Sequence, residues 1–150
     1  MKKEFITRSP EETIAFAEAF GRYLHAGDVL AYLGDLGAGK TTFTRGLAAG
    51  LGLKDLVTSP TFALVHVYGQ PPLQLCHFDM YRITDENELE TTGFYDYDLQ
   101  ESIFAIEWSE NILNALPANT VRLTLERISD EERKIILETQ EEERFADFRP

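Results

Sequence analysis

The chain has 150 residues, which is enough for one hydrophobic core and too short for two ordinary domains. Its hydrophobic fraction of 43% and its charged fraction of 27% are typical of a soluble globular protein. Because the net charge is −12 and an acidic chain repels phosphate backbones, a large direct interface with nucleic acid is not expected. Cys76 is the single cysteine, which excludes an intrachain disulfide and suits a reducing cytosol. Neither a signal peptide nor a membrane-spanning segment is predicted.

The N-terminal third of the chain predicts a helix, a strand and a second helix. Ser9 is a suitable N-cap, Pro10 suits the first helical position, and apolar residues then recur at helical spacing until Gly27. Residues 28–33 form a short apolar run, which indicates a buried strand. Residues 40–51 again show helical periodicity, and a glycine-rich loop joins them to the strand.

The rest of the chain predicts two hairpins with a further strand and short helices between them. Two strands flank the turn at residues 69–72, and a short acidic helix separates them from an apolar strand at residues 103–106. A short helix at residues 109–116 and a second hairpin follow. The charged residues 140–150 predict a mobile tail outside a domain of residues 1–139. This order predicts a three-layer α/β fold with a mixed parallel and antiparallel sheet.

A phosphate-binding loop is indicated by the sequence GDLGAGKTT at residues 34–42. Gly34, Gly39, Lys40 and Thr41 match the G-x-x-x-x-G-K-[ST] motif, in the strand–loop–helix context that the motif requires. Loop amides would surround phosphate oxygens, Lys40 would lie along the β- and γ-phosphates, and the Thr41 hydroxyl would bind Mg²⁺. The candidates for nucleotide binding are Asp35, Leu36, Gly37, Ala38, Gly39, Lys40, Thr41 and Thr42.

Two carboxylates at predicted strand ends could complete a magnesium site. The strand before Glu107 is continuously apolar, as a central parallel strand should be, whereas the strand before Asp79 alternates. The pattern therefore favours Glu107 as the neighbour of the loop, and the division of roles between the two carboxylates stays open. His77 shares a strand face with Asp79 and could border the site, although the pattern favours a histidine at the sheet surface.

The segment TSPTF, residues 58–62, lies between the predicted loop helix and the next strand. Segments at this place in P-loop proteins often sense the γ-phosphate. Thr61 could therefore bind Mg²⁺ or orient the attacking water. On pattern alone, a threonine that begins a strand is the favoured interpretation.

Four ordered blocks of this sequence resemble the TsaE family, also called YjeE. They are GDLGAGKTTFTRG, TSPTFALVHVY, HFDMYRITDENELETTGFYDY and IEWSE, and they lie between Gly34 and Glu110. The resemblance implies a P-loop NTPase with a mixed sheet, located in the cytoplasm, which binds ATP or ADP with Mg²⁺ and hydrolyses ATP slowly alone. It also implies partner subunits, TsaB and TsaD, which carry the tRNA while threonylcarbamoyl is transferred to adenosine 37.

Residue by residue, the resemblance implies roles for five side chains. Lys40 contacts phosphate, and Thr41 and Glu107 hold Mg²⁺. The catalytic residues are Thr61, Asp79 and, through the metal, Glu107. The C-terminal tail has no matching block. The adenine pocket is poorly marked, and its candidates lie near Ser9 and in the segment ERISDEER.

Two other functions are compatible with a phosphate-binding loop. A kinase normally carries an arginine-rich lid, and none is visible in this sequence. The retention of Lys40, Thr41 and two strand-end carboxylates argues against an adaptor that binds nucleotide without hydrolysing it. Arg45 and Arg82 are unproven candidates for stabilising the transferred phosphoryl group, so hydrolysis is expected to be slow until a partner acts. The expected partner interface is the segment TSPTF together with residues 85–98, which are acidic and are expected to expose the aromatic residues Phe94, Tyr95 and Tyr97.

Overall fold

The computed structural model describes residues 1–34, 38–53 and 65–150, and within them the chain forms one seven-stranded sheet. The strands are β1 (Lys2–Thr7), β2 (Val29–Leu33), β3 (Val65–Gln70), β4 (Leu73–Asp79), β5 (Ser102–Glu107), β6 (Val121–Arg127) and β7 (Arg133–Glu138). The α-helices are α1 (Pro10–Tyr23), α2 (Lys40–Gly50) and α3 (Glu142–Phe145). The 3₁₀ helices are Glu86–Thr91, Phe94–Asp96 and Ser109–Ala115.

The sheet is mixed, as the sequence predicts. Its strand order is β1-β7-β6-β2-β5-β4-β3. The four central strands β6, β2, β5 and β4 are parallel, whereas β1 and β7 at one side and β3 at the other are antiparallel to their neighbours. Because the carboxyl ends of parallel strands meet at one edge of a sheet, the residues that follow β2, β4 and β5 gather there.

Helices cover both faces of the sheet, which confirms the three-layer α/β arrangement. The larger core cluster joins the sheet to Phe16 and Phe20 of α1 and to Phe43 and Leu47 of α2. The second cluster lies under the 3₁₀ helices on the opposite face. Helices α1 and α2 also touch each other closely, since a Cβ atom at Gly46 would lie 2.5 Å from the Cβ atom of Ala17.

The acidic segment at residues 85–98 contributes to the second core cluster. Asp85 caps the first 3₁₀ helix, because its carboxylate accepts a hydrogen bond from the Asn87 amide at 2.8 Å. Phe94 is buried, and its ring centroid lies 5.2 Å from that of Phe78. The aromatic residues of this segment are therefore not all exposed, and Tyr95, at 60% exposure, is its large exposed side chain.

Strand β1 was not predicted from the sequence. It pairs antiparallel with β7 along its whole length, from Lys2 opposite Glu138 to Thr7 opposite Arg133. Its side chains alternate between exposed and half-buried along the strand, and Thr7 alone is fully buried. An edge strand with two lysines and little buried surface has a weak apolar pattern, so only its pairing with β7 identifies it.

The C-terminal residues 140–150 pack onto the domain, which corrects the expectation of a mobile tail outside residues 1–139. Phe145 and Phe148 are buried in the larger core cluster, and the ring of Phe145 stacks on Phe20 at 5.8 Å. Arg144 forms a two-pronged ion pair with Asp28, with nitrogen–oxygen distances of 2.6 and 2.5 Å. Charged residues dominate this segment and weaken its apolar pattern, although Phe145 ends α3 and Phe148 follows three residues later.

Candidate functional site

Gly34 and Gly39, at the two ends of the loop between β2 and α2, have the backbone that the glycine pattern predicts. Gly34 has a φ of 120°, and a Cβ atom there would lie 2.1 Å from the carbonyl oxygen of Leu125 on β6. Gly39 has a φ of 105° and immediately precedes α2. Both positions therefore require glycine. Asp35, Leu36 and Gly37, which are predicted to bind nucleotide, lie outside the described residues.

The N-terminus of α2 fits an anion. Gly39 offers no side chain to cap it, and its first turn contains no acidic residue. Helix α1 differs, because the Ser9 hydroxyl accepts a hydrogen bond from the Glu12 amide and acidic residues occupy its first turn. A helix whose first amides lack a protein acceptor, and whose dipole is not balanced by a carboxylate, favours a bound negative charge. Lys40, Thr41 and Thr42 form this turn and are half-buried.

Trp108 lies beside the side chain of Lys40. The Lys40 Nζ atom is 5.8 Å from the centroid of the Trp108 ring, and Tyr81 packs against the same ring at 4.9 Å. Trp108 has a φ of 58° and is the one residue other than glycine in the described part of the chain with a positive φ. The half-buried indole, directly after β5, therefore packs against the margin of the second core cluster and also lies beside Lys40.

Asp79 and Glu107 are neighbours at the carboxyl ends of β4 and β5, where the register pairs them directly. Strand β5 also pairs with β2, so the prediction that the strand of Glu107 adjoins the loop strand is confirmed. Burial raises the pKa of Asp79, an effect reduced by the Tyr81 amide, which donates to its carboxylate at 2.9 Å. The negative charge of Glu107 also raises this pKa, and Lys40 lowers it, so these groups act on one another.

His77 belongs to the same cluster, and its predicted place at the sheet surface is wrong. The side chain is fully buried, and its Nε2 atom lies 2.7 Å from the Oε2 atom of Glu107. By the two-residue period of a strand, His77 and Asp79 project from the same face of β4. The polar face of β4 that the sequence alternation indicates, which carries His77 and Asp79, therefore lies against the candidate site and not against solvent.

Two buried hydroxyl groups tie the first turn of α2 to the sheet. The Tyr32 hydroxyl lies 2.8 Å from Thr44 Oγ1, and this oxygen in turn lies 2.8 Å from the Lys40 carbonyl oxygen, to which the Thr44 hydroxyl donates. Burial raises the pKa of Tyr32, so the phenol stays protonated. Neither residue was singled out from the sequence, although a threonine four residues after Lys40 is a detectable signal.

Arg133 approaches the loop from the start of β7. Its Nε atom donates to the Ala38 carbonyl oxygen at 3.0 Å. A small cleft beside the loop is lined by Pro10, Thr13, Gly39, Thr42, Glu131 and Arg133. The two segments expected to hold adenine, near Ser9 and at residues 126–133, therefore meet next to the loop. The sequence gives no local signal for this approach, because Arg133 and Ala38 are 95 positions apart.

The donor set fits Mg²⁺ in combination with phosphate. Carboxylate and hydroxyl oxygens are the ligands that this ion prefers, and Asp79, Glu107 and Thr41 supply them near the loop. No group of three or more His, Cys, Asp or Glu side chains suited to a metal occurs within residues 1–34, 38–53 and 65–150. A magnesium ion here would take its remaining ligands from water or from phosphate oxygens. Thr61 lies outside the described residues, and Arg45 and Arg82 are exposed.

In the described part of the chain, no helix is both long and apolar enough to cross a membrane.

Comparisons with known proteins show which sequences and which fold this chain is similar to. Residues 7–135 match the family described as threonylcarbamoyl adenosine biosynthesis protein TsaE. The TsaE protein of Bacillus subtilis is 42% identical over 129 residues, covering 86% of this chain and 80% of that protein. The TsaE protein of Treponema pallidum is 38% identical over 135 residues, covering 87% and 96% respectively. The crystal structure of Bacillus subtilis YdiB superposes with a TM-score of 0.74 at 34% identity, covering 93% of this chain and 86% of that one.

Proposed function

Since this chain belongs to the TsaE family of threonylcarbamoyl adenosine biosynthesis proteins and has its α/β P-loop fold, we propose that it binds and hydrolyses ATP for tRNA modification. The modification is N6-threonylcarbamoylation of adenosine 37, and the partners are the TsaB and TsaD subunits. The observation that supports ATP as the ligand is the uncapped start of α2, with Lys40 close to the paired carboxylates Asp79 and Glu107. A tRNA-modifying role and a single cysteine both favour the cytoplasm.

The chain's own groups divide the work of phosphate binding. The amides of residues 35–42 would hold the phosphate oxygens, and the Lys40 ammonium would neutralise charge on the β- and γ-phosphates. The hydrogen bonds from Tyr32 through Thr44 to Lys40 hold the first turn of α2 in place, so that the amides of this turn need not reorganise when nucleotide binds.

The carboxylates are assigned different roles. Thr41 and Glu107 would hold Mg²⁺, which would withdraw charge from the phosphate oxygens when bound. Asp79 has a raised pKa, and a carboxylate with a raised pKa is the better proton acceptor. We assign Asp79 to orient the attacking water and take its proton. Thr61 is assigned to the same water on the strength of the family resemblance.

The pair of carboxylates gives a direct test of these roles. Glu107→Ala is expected to reduce the affinity for a non-hydrolysable ATP analogue in the presence of Mg²⁺ by about tenfold or more, with little change in EDTA. Asp79→Ala is expected to lower the rate of hydrolysis by about 10²-fold or more and to leave affinity nearly unchanged. Calorimetry and phosphate release measure the two effects. The reverse pattern would exchange the roles, and no effect from either variant would show that both are surface carboxylates.

Hydrolysis by the chain alone is expected to be slow and to rise when the TsaB–TsaD dimer is added. Where a partner completes a nucleotide site, as in the well-studied GTPases, the rate rises by about 10³- to 10⁵-fold. The net charge of −12 disfavours binding of tRNA by the chain itself. Tyr95 belongs to the acidic residues 85–98 and is 60% exposed, and Tyr81, which precedes them in the chain, is 63% exposed. Exposed aromatic side chains of this kind suit a protein interface.

Steady-state phosphate release tests this expectation with the chain alone, with the dimer, and with the dimer plus tRNA. Rapid hydrolysis without partners, or tight binding of tRNA by the isolated chain at physiological salt, would contradict it. Transfer of phosphate to an added acceptor would favour a kinase instead. Nucleotide binding without phosphate release under all three conditions would favour a non-hydrolysing adaptor.

A further inference from the structure

His77 is a buried polar side chain for which the proposed roles leave no task. It is fully buried, and its Nε2 atom lies 2.7 Å from Glu107 Oε2. Its Nδ1 atom is also buried and has no hydrogen-bond partner among the described residues. With a hydrogen on Nε2, the ring donates to the carboxylate of Glu107 through that N–H group.

Packing does not account for a histidine at this position. An unpaired buried nitrogen lowers the stability of the folded state, and a leucine of similar volume would avoid that loss. The adjoining strand residues show that the site tolerates apolar side chains, since Leu75 on the same face of β4 is fully buried. Among the described residues, the hydrogen bond to Glu107 is the polar contact that offsets the cost of burying this histidine.

The imidazole is held rigidly enough to orient its partner. Its ring meets the ring of Tyr32 edge-on, with the centroids 6.1 Å apart and an interplanar angle of 85°. Tyr32 is itself buried and linked through Thr44 to the first turn of α2. A hydrogen bond to one oxygen of a carboxylate leaves the other oxygen available to a metal and restricts the rotation of the carboxylate.

We propose that His77 is a positioning residue that fixes the Glu107 carboxylate in the orientation needed to hold Mg²⁺ beside bound nucleotide. This inference rests on the proposed function, because it requires a nucleotide–magnesium complex at Glu107. It adds a residue on β4 that acts on the metal through the side chain of Glu107 at the end of β5.

The test compares the affinity of the full-length chain for a non-hydrolysable ATP analogue in Mg²⁺ and in EDTA. In His77→Leu, the gain in affinity from Mg²⁺ is expected to fall by about tenfold or more, as for other groups that orient metal ligands. Affinity in EDTA and the thermal unfolding temperature should stay at or above the wild-type values. His77→Gln keeps an N–H donor near the position of Nε2 and should restore most of the gain. If His77→Leu does not fold, His77→Asn replaces it, because its amide is too short to reach Glu107.

His66→Leu is the matched control. His66 lies directly opposite His77 in the β3–β4 pair and is half-buried, and its variant should keep the whole gain from Mg²⁺. Three results would overturn the inference and leave the proposed function intact. His77→Leu could keep the whole gain in affinity from Mg²⁺, or both leucine variants could lose this gain equally. Alternatively, His77→Leu could lose the same affinity for the analogue in Mg²⁺ as in EDTA. A wild-type chain that binds no analogue, or gains nothing from Mg²⁺, would overturn the proposed function and the inference with it.

Discussion

Lys40→Ala is expected to reduce affinity for ATP by about 10²-fold or more without unfolding the domain. Two charge-assisted contacts to phosphate would be lost, each worth roughly 1.5–3 kcal/mol. The side chain is half-buried and its ammonium group lies over the Trp108 ring, not in either core cluster. Its removal should therefore leave the packing of α2 intact. Calorimetry with a non-hydrolysable analogue measures the affinity, and circular dichroism measures the fold.

Arg22→Ala is a suitable control for the loss of one positive charge. Arg22 is exposed in the last turn of α1 and is not part of the loop. If both variants lost affinity equally, the effect would be one of net charge on a chain that already carries −12. If Lys40→Ala bound ATP as tightly as the wild type, the assignment of the loop as a phosphate site would be wrong.

Phe148→Ala is expected to destabilise the whole domain by about 3–5 kcal/mol, the range for a buried aromatic residue replaced by alanine. The side chain is 1% exposed. It packs against four rings, with centroid distances of 5.3–6.0 Å, which are those of Phe5, Phe16, Phe20 and Tyr23. Since domains of this size have a free energy of unfolding of about 5–15 kcal/mol, the loss would be a large part of the total.

Urea denaturation measures this effect, with Asp147→Ala as the control. Asp147 is the preceding residue and is exposed, so its variant should change the free energy of unfolding by no more than about 0.5 kcal/mol. Equal stability of the two variants would mean that the C-terminal segment adds nothing to the core in solution. Cooperative loss of stability in Phe148→Ala alone would show that residues 140–150 are part of the domain.

The glycine-rich loop could be predicted from sequence because its motif depends on residues that are close together in the chain. The spacing of Gly34, Gly39 and Lys40 already specifies two close backbone turns and a positive charge at a helix start. The structure confirms positive φ angles at both glycines and a helix from Lys40. The central place of β5 was also predictable, since a strand buried on both faces must be apolar at every position.

Residues that meet across the sheet could not be predicted in this way. His77 and Glu107 are 30 positions apart, and their contact depends on β4 lying next to β5 in parallel register. The alternation of β4 showed that two faces differ, but it could not show whether the polar face met solvent or a partner side chain. The burial of Phe145 and Phe148 could not be predicted for the same reason. These side chains are buried only because distant parts of the chain form an apolar surface against which they pack.

The sequence by itself therefore determined the glycine-rich turn from β2 into α2, the α/β class with a mixed sheet, and the place of β5 beside the loop strand. Each of these features depends on local residue spacing or on the periodicity of one element. Spacing and periodicity can be recognised in the sequence without knowing which element packs against which. The tertiary structure alone decided that His77 contacts Glu107, that Arg133 reaches Ala38, and that the C-terminal residues complete the core. These contacts join distant segments, and the order in which strands pair determines which distant side chains become neighbours.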